Sequence, residues 1–168
     1  MTTRRLVLVR HAKAAGGAVD AERPLAARGA RDAVALGAWI VRHSLVPDRV
    51  AVSPARRAAE TWAHAAAVLM AGSPSFVDER IYVNTVDALL AVIHDIPPEV
   101  QTLALVGHSP SIAELASVLA DGDGDASARG ELAHGYPTSA VAVFAVHTPW
   151  LQLEPSSATL THFSAPRG

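Results

Sequence analysis

Three short apolar runs, Leu6–Val9, Val50–Val52 and Leu103–Val106, each stop abruptly at polar, chemically capable residues. Runs of this length without polar interruption predict strands buried on both faces. The segments between them carry apolar residues at helical spacing. After Arg23-Pro24-Leu25, a stretch of about 18 residues places Ala33, Gly37, Ile40 and Val41 on one face. Ser53-Pro54 reads as an N-cap followed by proline at the first helical position, which predicts a helix from about Pro54 to Met70. Val86, Leu89, Leu90, Ile93 and Ile96 predict another, stopped by Pro97-Pro98. Ser109-Pro110 repeats the helix-start signal ahead of Ile112, Leu115, Ala116 and Leu119. Phe76-Val77, Ala140–Val146 and Ala158–Thr161 complete the expected strands, and Asp121–Asp125 is expected to be a solvated surface loop. Strands alternating with helices imply an α/β fold with a mostly parallel sheet and helices on both faces.

Composition narrows the function classes. The 168 residues are 50% hydrophobic and 18% charged, enough apolar material for one cored domain spanning 1–168 and too little charge for a disordered chain. The net charge of −2 gives no electrostatic grip on nucleic acid, so no nucleic-acid partner is expected. The absence of cysteine removes disulfides, thiolate metal sites and cysteine nucleophiles, a cysteine-based phosphatase included. Leu6–Val9 is too short for a secretion signal or a membrane span, so a soluble, cytoplasmic protein with no membrane partner is expected. No two histidines lie closer than 13 positions, so local zinc signatures are missing; neither metal nor cofactor is expected.

In parallel α/β sheets, ligands bind beyond the carboxyl ends of the strands. Those ends carry Arg10-His11, then Ser53 with Arg57 just inside the next helix, then Gly107-His108-Ser109. Two arginine forks, a helix N-terminus and imidazoles suit a phosphoryl group, whose chemistry needs positioned positive charge and hydrogen-bond donors. A neutral imidazole on a rigid strand end is a competent nucleophile toward phosphorus. His11 is the candidate nucleophile, with Arg10, Arg57 and His108 as candidate phosphoryl ligands.

The run Leu8-Val9-Arg10-His11-Ala12-Lys13-Ala14 resembles the Arg-His-Gly signature of the histidine phosphatase superfamily. Ser53-Pro54-Ala55-Arg56-Arg57-Ala58-Ala59-Glu60-Thr61 resembles its Ser-x-x-x-Arg-Ala-x-x-Thr segment, and Gly107-His108-Ser109 its second-histidine motif. The short chain, Ala12, Arg23-Pro24-Leu25 and Arg28-Gly29 look most like the small bacterial phosphohistidine phosphatase branch. The resemblance implies a three-layer α/β/α sandwich of phosphoglycerate mutase type with a mixed sheet. It implies a phosphohistidine intermediate on His11, and it makes Arg57, not Arg56, the pocket arginine. The substrate would be a phosphorylated protein or a small phosphomonoester. Ala12 departs from the usual Gly. The family's acid positions point to Glu79, with Asp78 as its neighbour, because Ser109 follows His108 where an Asp would otherwise stand. For Glu79 the acid and surface readings stand side by side. A site without a strong acid would favour phosphoramidates or activated esters.

Competing readings remain. Gly107-His108-Ser109-Pro110-Ser111 nearly matches a Gly-x-Ser-x-Gly elbow, which would make Ser109 the nucleophile of a serine hydrolase. The arginines alone would equally serve a non-catalytic phosphate- or phosphoprotein-binding module. A mutase needs larger insertions. Lys13, Arg56 and the six other histidines read as surface or structural residues. The oligomeric state has no signature.

Overall fold

The computed structural model describes residues 2–70 and 72–168; Met1 and Ala71 lie outside it. The strands are β1 (Arg4–Arg10), β2 (Arg49–Val52), β3 (Ser75–Val77), β4 (Thr102–Gly107), β5 (Ala120–Gly124), β6 (Val141–Val146) and β7 (Ala158–Ser164). The helices are α1 (Ala27–Arg42), α2 (Arg56–Ala66), α3 (Arg80–Val83), α4 (Val86–His94), α5 (Ser111–Leu119) and α6 (Ala126–His134), with single 3-10 turns at 20–22 and 150–152. The seven strands lie in the order β3-β2-β4-β1-β6-β7-β5. β1, β2, β3 and β4 run parallel, as do β5 and β7, while β6 is antiparallel to both its neighbours. This is the expected mixed, mostly parallel sheet.

The continuous apolar run of β1 follows from its place between β4 and β6. Leu6, Val7, Leu8 and Val9 are fully buried, and alternation sends them to opposite faces. Leu6 and Leu8 pack with Leu89, Ile93, Ile112 and Leu115 of α4 and α5. Val7 and Val9 pack with Leu36 and Ile40 of α1 and Trp62 of α2. Helices on both faces make three layers. On the second face, α1 and α2 meet at Gly37, where a Cβ would lie 2.3 Å from the Ala65 carbonyl oxygen, so only glycine fits.

Four expectations are corrected. Helix α2 begins at Arg56 rather than Pro54 and ends at Ala66. Ser53 does not cap it, because the Ser53 hydroxyl is held by His108 and by the Ala55 N–H instead. Helix α5 begins at Ser111 rather than Ser109-Pro110; its first N–H is capped from outside by the Asn84 side chain, which also donates to the Ser109 carbonyl. Val41 is 46% exposed, because one residue of rotation carries it off the face that buries Leu36 and Ile40. Asp121–Asp125 has exposed side chains, as expected of surface residues, but its backbone is edge strand β5 leading into Asp125, the N-cap of the unforeseen helix α6.

Candidate active site

Strand register assembles the site. Arg10 pairs with Gly107 across β1 and β4, and Val52 pairs with Val106 across β2 and β4. The next residues, His11, His108 and Ser53, therefore leave three adjacent parallel strands at one edge. Backbone bonds hold the exits: His11 N–H donates to the Gly107 carbonyl at 2.9 Å, and Ser53 N–H to the Val106 carbonyl at 3.1 Å. Together Arg10, His11, Asp20, Arg57, Tyr82, Asn84, His108 and Ser109 line a polar cleft of about 320 Å³. Four of the five residues expected in the site are thus brought together.

The partners of the His11 ring fix one tautomer. Its Nδ1 lies 2.8 Å from the Ala12 carbonyl, which can only accept, so Nδ1 carries the proton. Arg57 Nε donates to His11 Nε2 at 3.3 Å, so Nε2 carries the lone pair. Two independent contacts select the same tautomer. Burial, reinforced by the Arg57, Arg10 and Arg23 charges, depresses the His11 pKa to about 4, opposed by the Ala12 carbonyl bond. At neutral pH the imidazole is therefore uncharged. The loop behind it is pinned by Thr61, whose hydroxyl accepts from the Ala12 N–H at 2.9 Å and donates to the Arg57 carbonyl at 2.7 Å. One threonine thus fixes the loop after His11 to the helix carrying Arg57. Ala12 itself is fully buried in this arrangement.

Arg57, on the first turn of α2, is nearly buried, and its fork is occupied by Asp20. Nη1 donates to the Asp20 carbonyl at 2.8 Å and Nη2 to Oδ2 at 3.0 Å. The same Oδ2 accepts from the Tyr82 hydroxyl at 2.6 Å, and Oδ1 accepts from Arg23 at 3.2 Å. With the Tyr82 bond the largest cause, followed by Arg57 and Arg23, this carboxyl is held well below the ordinary carboxylate range. Arg10 is anchored by donation from Nη1 to the Tyr136 carbonyl at 2.8 Å, while its buried Nε has no partner. His108 is 4% exposed, lies 5.2 Å from His11 ring to ring, and bonds through Nε2 to Ser53 Oγ at 2.7 Å. Burial and the neighbouring His11, Arg57 and Arg10 lower its pKa to about 3, against the Asp20 charge, so it too is neutral.

Glu79 is not brought to the cleft. It is exposed and lines an adjoining groove with Pro54, Arg80, Val83 and Tyr82, the last of which also lines the cleft. Asp78 is tied to Arg80. Arg56 faces outward against Glu60, and Lys13 faces water, both as expected. Ser109 lines the cleft, yet the hydroxyl bonded to a histidine belongs to Ser53. Asp20, Tyr82 and Asn84 escaped the sequence reading. Arg57 and Tyr82 stand 37 and 62 positions from Asp20, and no local spacing signals such bonds. Beyond Arg10 lies a wider depression of about 770 Å³ lined by Glu131, His134, Tyr136 and Phe163 among others. Among the described residues no three His, Asp or Glu side chains gather as a metal-binding cluster, and no helix is long and apolar enough to cross a membrane.

Comparison with known proteins agrees with this geometry. The histidine phosphatase superfamily (branch 1) matches residues 6–81, which contain both the His11 and Arg57 segments. An uncharacterized protein of Mycobacterium tuberculosis is 37% identical over 162 residues, 95% of this chain and all of that protein. One of Mycobacterium leprae is 34% identical over 148 residues, 88% of this chain and 89% of that one. A solved structure assigned as the phosphohistidine phosphatase SixA of Nakamurella multipartitia superposes with a TM-score of 0.88 at 29% identity, covering 99% of this chain and 98% of that one. Its counterpart from Agrobacterium tumefaciens gives 0.78 at 27%, covering 96% and 98%. This chain belongs to the histidine phosphatase superfamily.

Proposed function

We propose that this protein is a metal-independent phosphatase that hydrolyses phosphohistidine on a protein, with a small activated phosphomonoester as its second substrate class. The observation that carries the reading is the His11 imidazole, neutral, with Nδ1 protonated against Ala12 and Nε2 bare beside Arg57. The Nε2 lone pair attacks phosphorus; an N–P bond forms to His11 as the P–N bond to the leaving imidazole breaks. Water then attacks the enzyme phosphohistidine, releasing orthophosphate and regenerating His11. Arg10, Arg57 and His108 supply charge and donors to the phosphoryl oxygens through both steps.

The carboxylates favour a phosphoramidate over an alkyl ester. Asp20 is the one carboxylate among the described residues that line the cleft, and three donors hold it ionised, which makes it a poor proton donor. Glu79 stands outside. An alkoxide leaving group needs a proton from an acid. An imidazole leaving from phosphohistidine can take its proton from solvent on the distant nitrogen beforehand, and it then departs as the neutral ring without an enzyme acid. The likeness to the structures assigned as phosphohistidine phosphatases points the same way.

The test is hydrolysis of phosphohistidine, of p-nitrophenyl phosphate and of a simple sugar phosphate with EDTA present, in wild type and in His11→Ala. The expected result is activity that survives chelation, disappears in the variant, and is faster on phosphohistidine than on simple sugar phosphates. Full activity in His11→Ala would remove the nucleophile. A wild type that binds phosphate without turnover would make the protein a binding module, and fluorophosphonate labelling of Ser109 would make it a serine hydrolase.

A further inference from the structure

The hydroxyl of Ser53, at the end of β2, is fully buried. Ser53 does not line the cleft, as His108 does, and it does not cap α2. Its two partners among the described residues are the Ala55 N–H, which donates to it at 3.2 Å, and His108 Nε2 at 2.7 Å. The His108 ring has two nitrogens. Nε2 is spent on Ser53; Nδ1 is buried and without a partner. Nδ1 is thus the one ring nitrogen left to serve a phosphoryl oxygen.

A neutral imidazole holds a single N–H. Burial together with the nearby arginines keeps His108 neutral. If that proton sat on Nε2, the serine would have to accept twice and its own proton would go unbonded. Nδ1 would then present a lone pair to anionic oxygens. If the proton sits on Nδ1, the serine accepts from Ala55, donates to Nε2, and every polar atom of the pair is satisfied once substrate arrives. We infer that Ser53 is a positioning residue: it donates to Nε2 of His108 and so holds the tautomer in which Nδ1–H is the donor offered to the phosphoryl group. The role as phosphoryl donor rests on the phosphatase reading above; the tautomer itself does not.

The geometry behind the pair is rigid. Ser53 N–H is bonded to the Val106 carbonyl, two residues before His108, and the His108 carbonyl accepts from Ile112 N–H and Ser111 Oγ. Neither partner of the 2.7 Å contact is free to drift.

The experiment is ring-nitrogen NMR of histidine-labelled protein, with His108 assigned by the resonances lost in His108→Asn, alongside steady-state kinetics. In wild type, His108 is expected to show a protonated Nδ1 and a bare Nε2. In Ser53→Ala the bare Nε2 signature is expected to be lost, with kcat falling by about 10²-fold, the scale of losing one aligned transition-state donor. Ser53→Thr, which keeps the hydroxyl, is expected to retain the wild-type ring signature. A wild-type His108 protonated on Nε2 would overturn the inference even if neither Ser53 variant folded. So would a folded Ser53→Ala with an unchanged ring signature and rate. Absence of hydrolysis in wild type would sink the phosphatase reading alone, and the ring nitrogens would still decide the Ser53 assignment.

Discussion

Acidifying the protein separates this site from an ordinary histidine pocket. An exposed imidazole titrates near 6.5. In His11, removal from water is the largest cause of a pKa near 4, and the Arg57, Arg10 and Arg23 charges push the same way. Nucleophilic attack needs the unprotonated ring. At pH 5.5, a pKa of about 4 leaves ~97% of His11 rings competent, against ~9% for an unperturbed imidazole, roughly a tenfold difference in rate. The assay is an NMR titration of the His11 ring in the free enzyme, paired with kcat/KM after correction for substrate ionisation. Activity is expected to hold as pH falls through 6.5 and to decline only toward 4. A His11 midpoint at 6 or above would refute the burial argument. The same shift has a stability sign. His11 and His108 are neutral in the folded state down to about 4 and 3, while unfolded histidines take up protons below about 6.5. The unfolded state therefore binds more protons in that window. Stability is full above about 6.5 and is lost as pH falls from there toward the folded-state values. Circular dichroism run beside the titration separates loss of fold from loss of nucleophile.

Other perturbations report on different parts of the argument. Gly37→Ala would push a methyl group to 2.3 Å from the Ala65 carbonyl where α1 and α2 touch; a loss of about 1–3 kcal/mol in urea unfolding is expected, since overpacking a tight contact forces the helices apart. Asp20→Asn removes the anion that occupies the Arg57 fork, so orthophosphate binding by calorimetry is expected to tighten, by up to about fivefold for a partly exposed pair; weaker binding would show that Asp20 orients Arg57 rather than competing for it. Glu79→Gln is expected to leave kcat within about twofold, because that side chain lies outside the cleft and surface changes are small; a large loss would restore it as the acid. Tyr136→Phe deletes the buried hydroxyl that donates to the Leu8 carbonyl at 2.6 Å, and about 1 kcal/mol of stability is expected to go with it.

Local chemistry made much of this protein readable from its sequence. Leu6–Val9 and Leu103–Val106 are uninterrupted apolar runs because a central parallel strand is covered on both faces, and that requirement is written in each strand's own residues. Arg10-His11, Arg57 and Gly107-His108 were recognisable because each stands at a fixed offset from such a run. What tertiary structure alone decided are the bonds between these segments. The Ser53-Pro54 pair looks like a helix start, yet the hydroxyl turned away to a histidine 55 positions on, because strand register set the two side by side. Asp20 sits in a loop with no pattern of its own and acquires its role from Arg57 and Tyr82, which only folding brings near. Glu79 has a suggestive position in the chain but stands exposed just before α3, among the residues lining the neighbouring groove and not the cleft. Periodicity and offset are properties of neighbouring residues, so a sequence carries them openly. A hydrogen bond between side chains dozens of positions apart depends on register and helix docking, and those arise from burying both faces of the sheet at once.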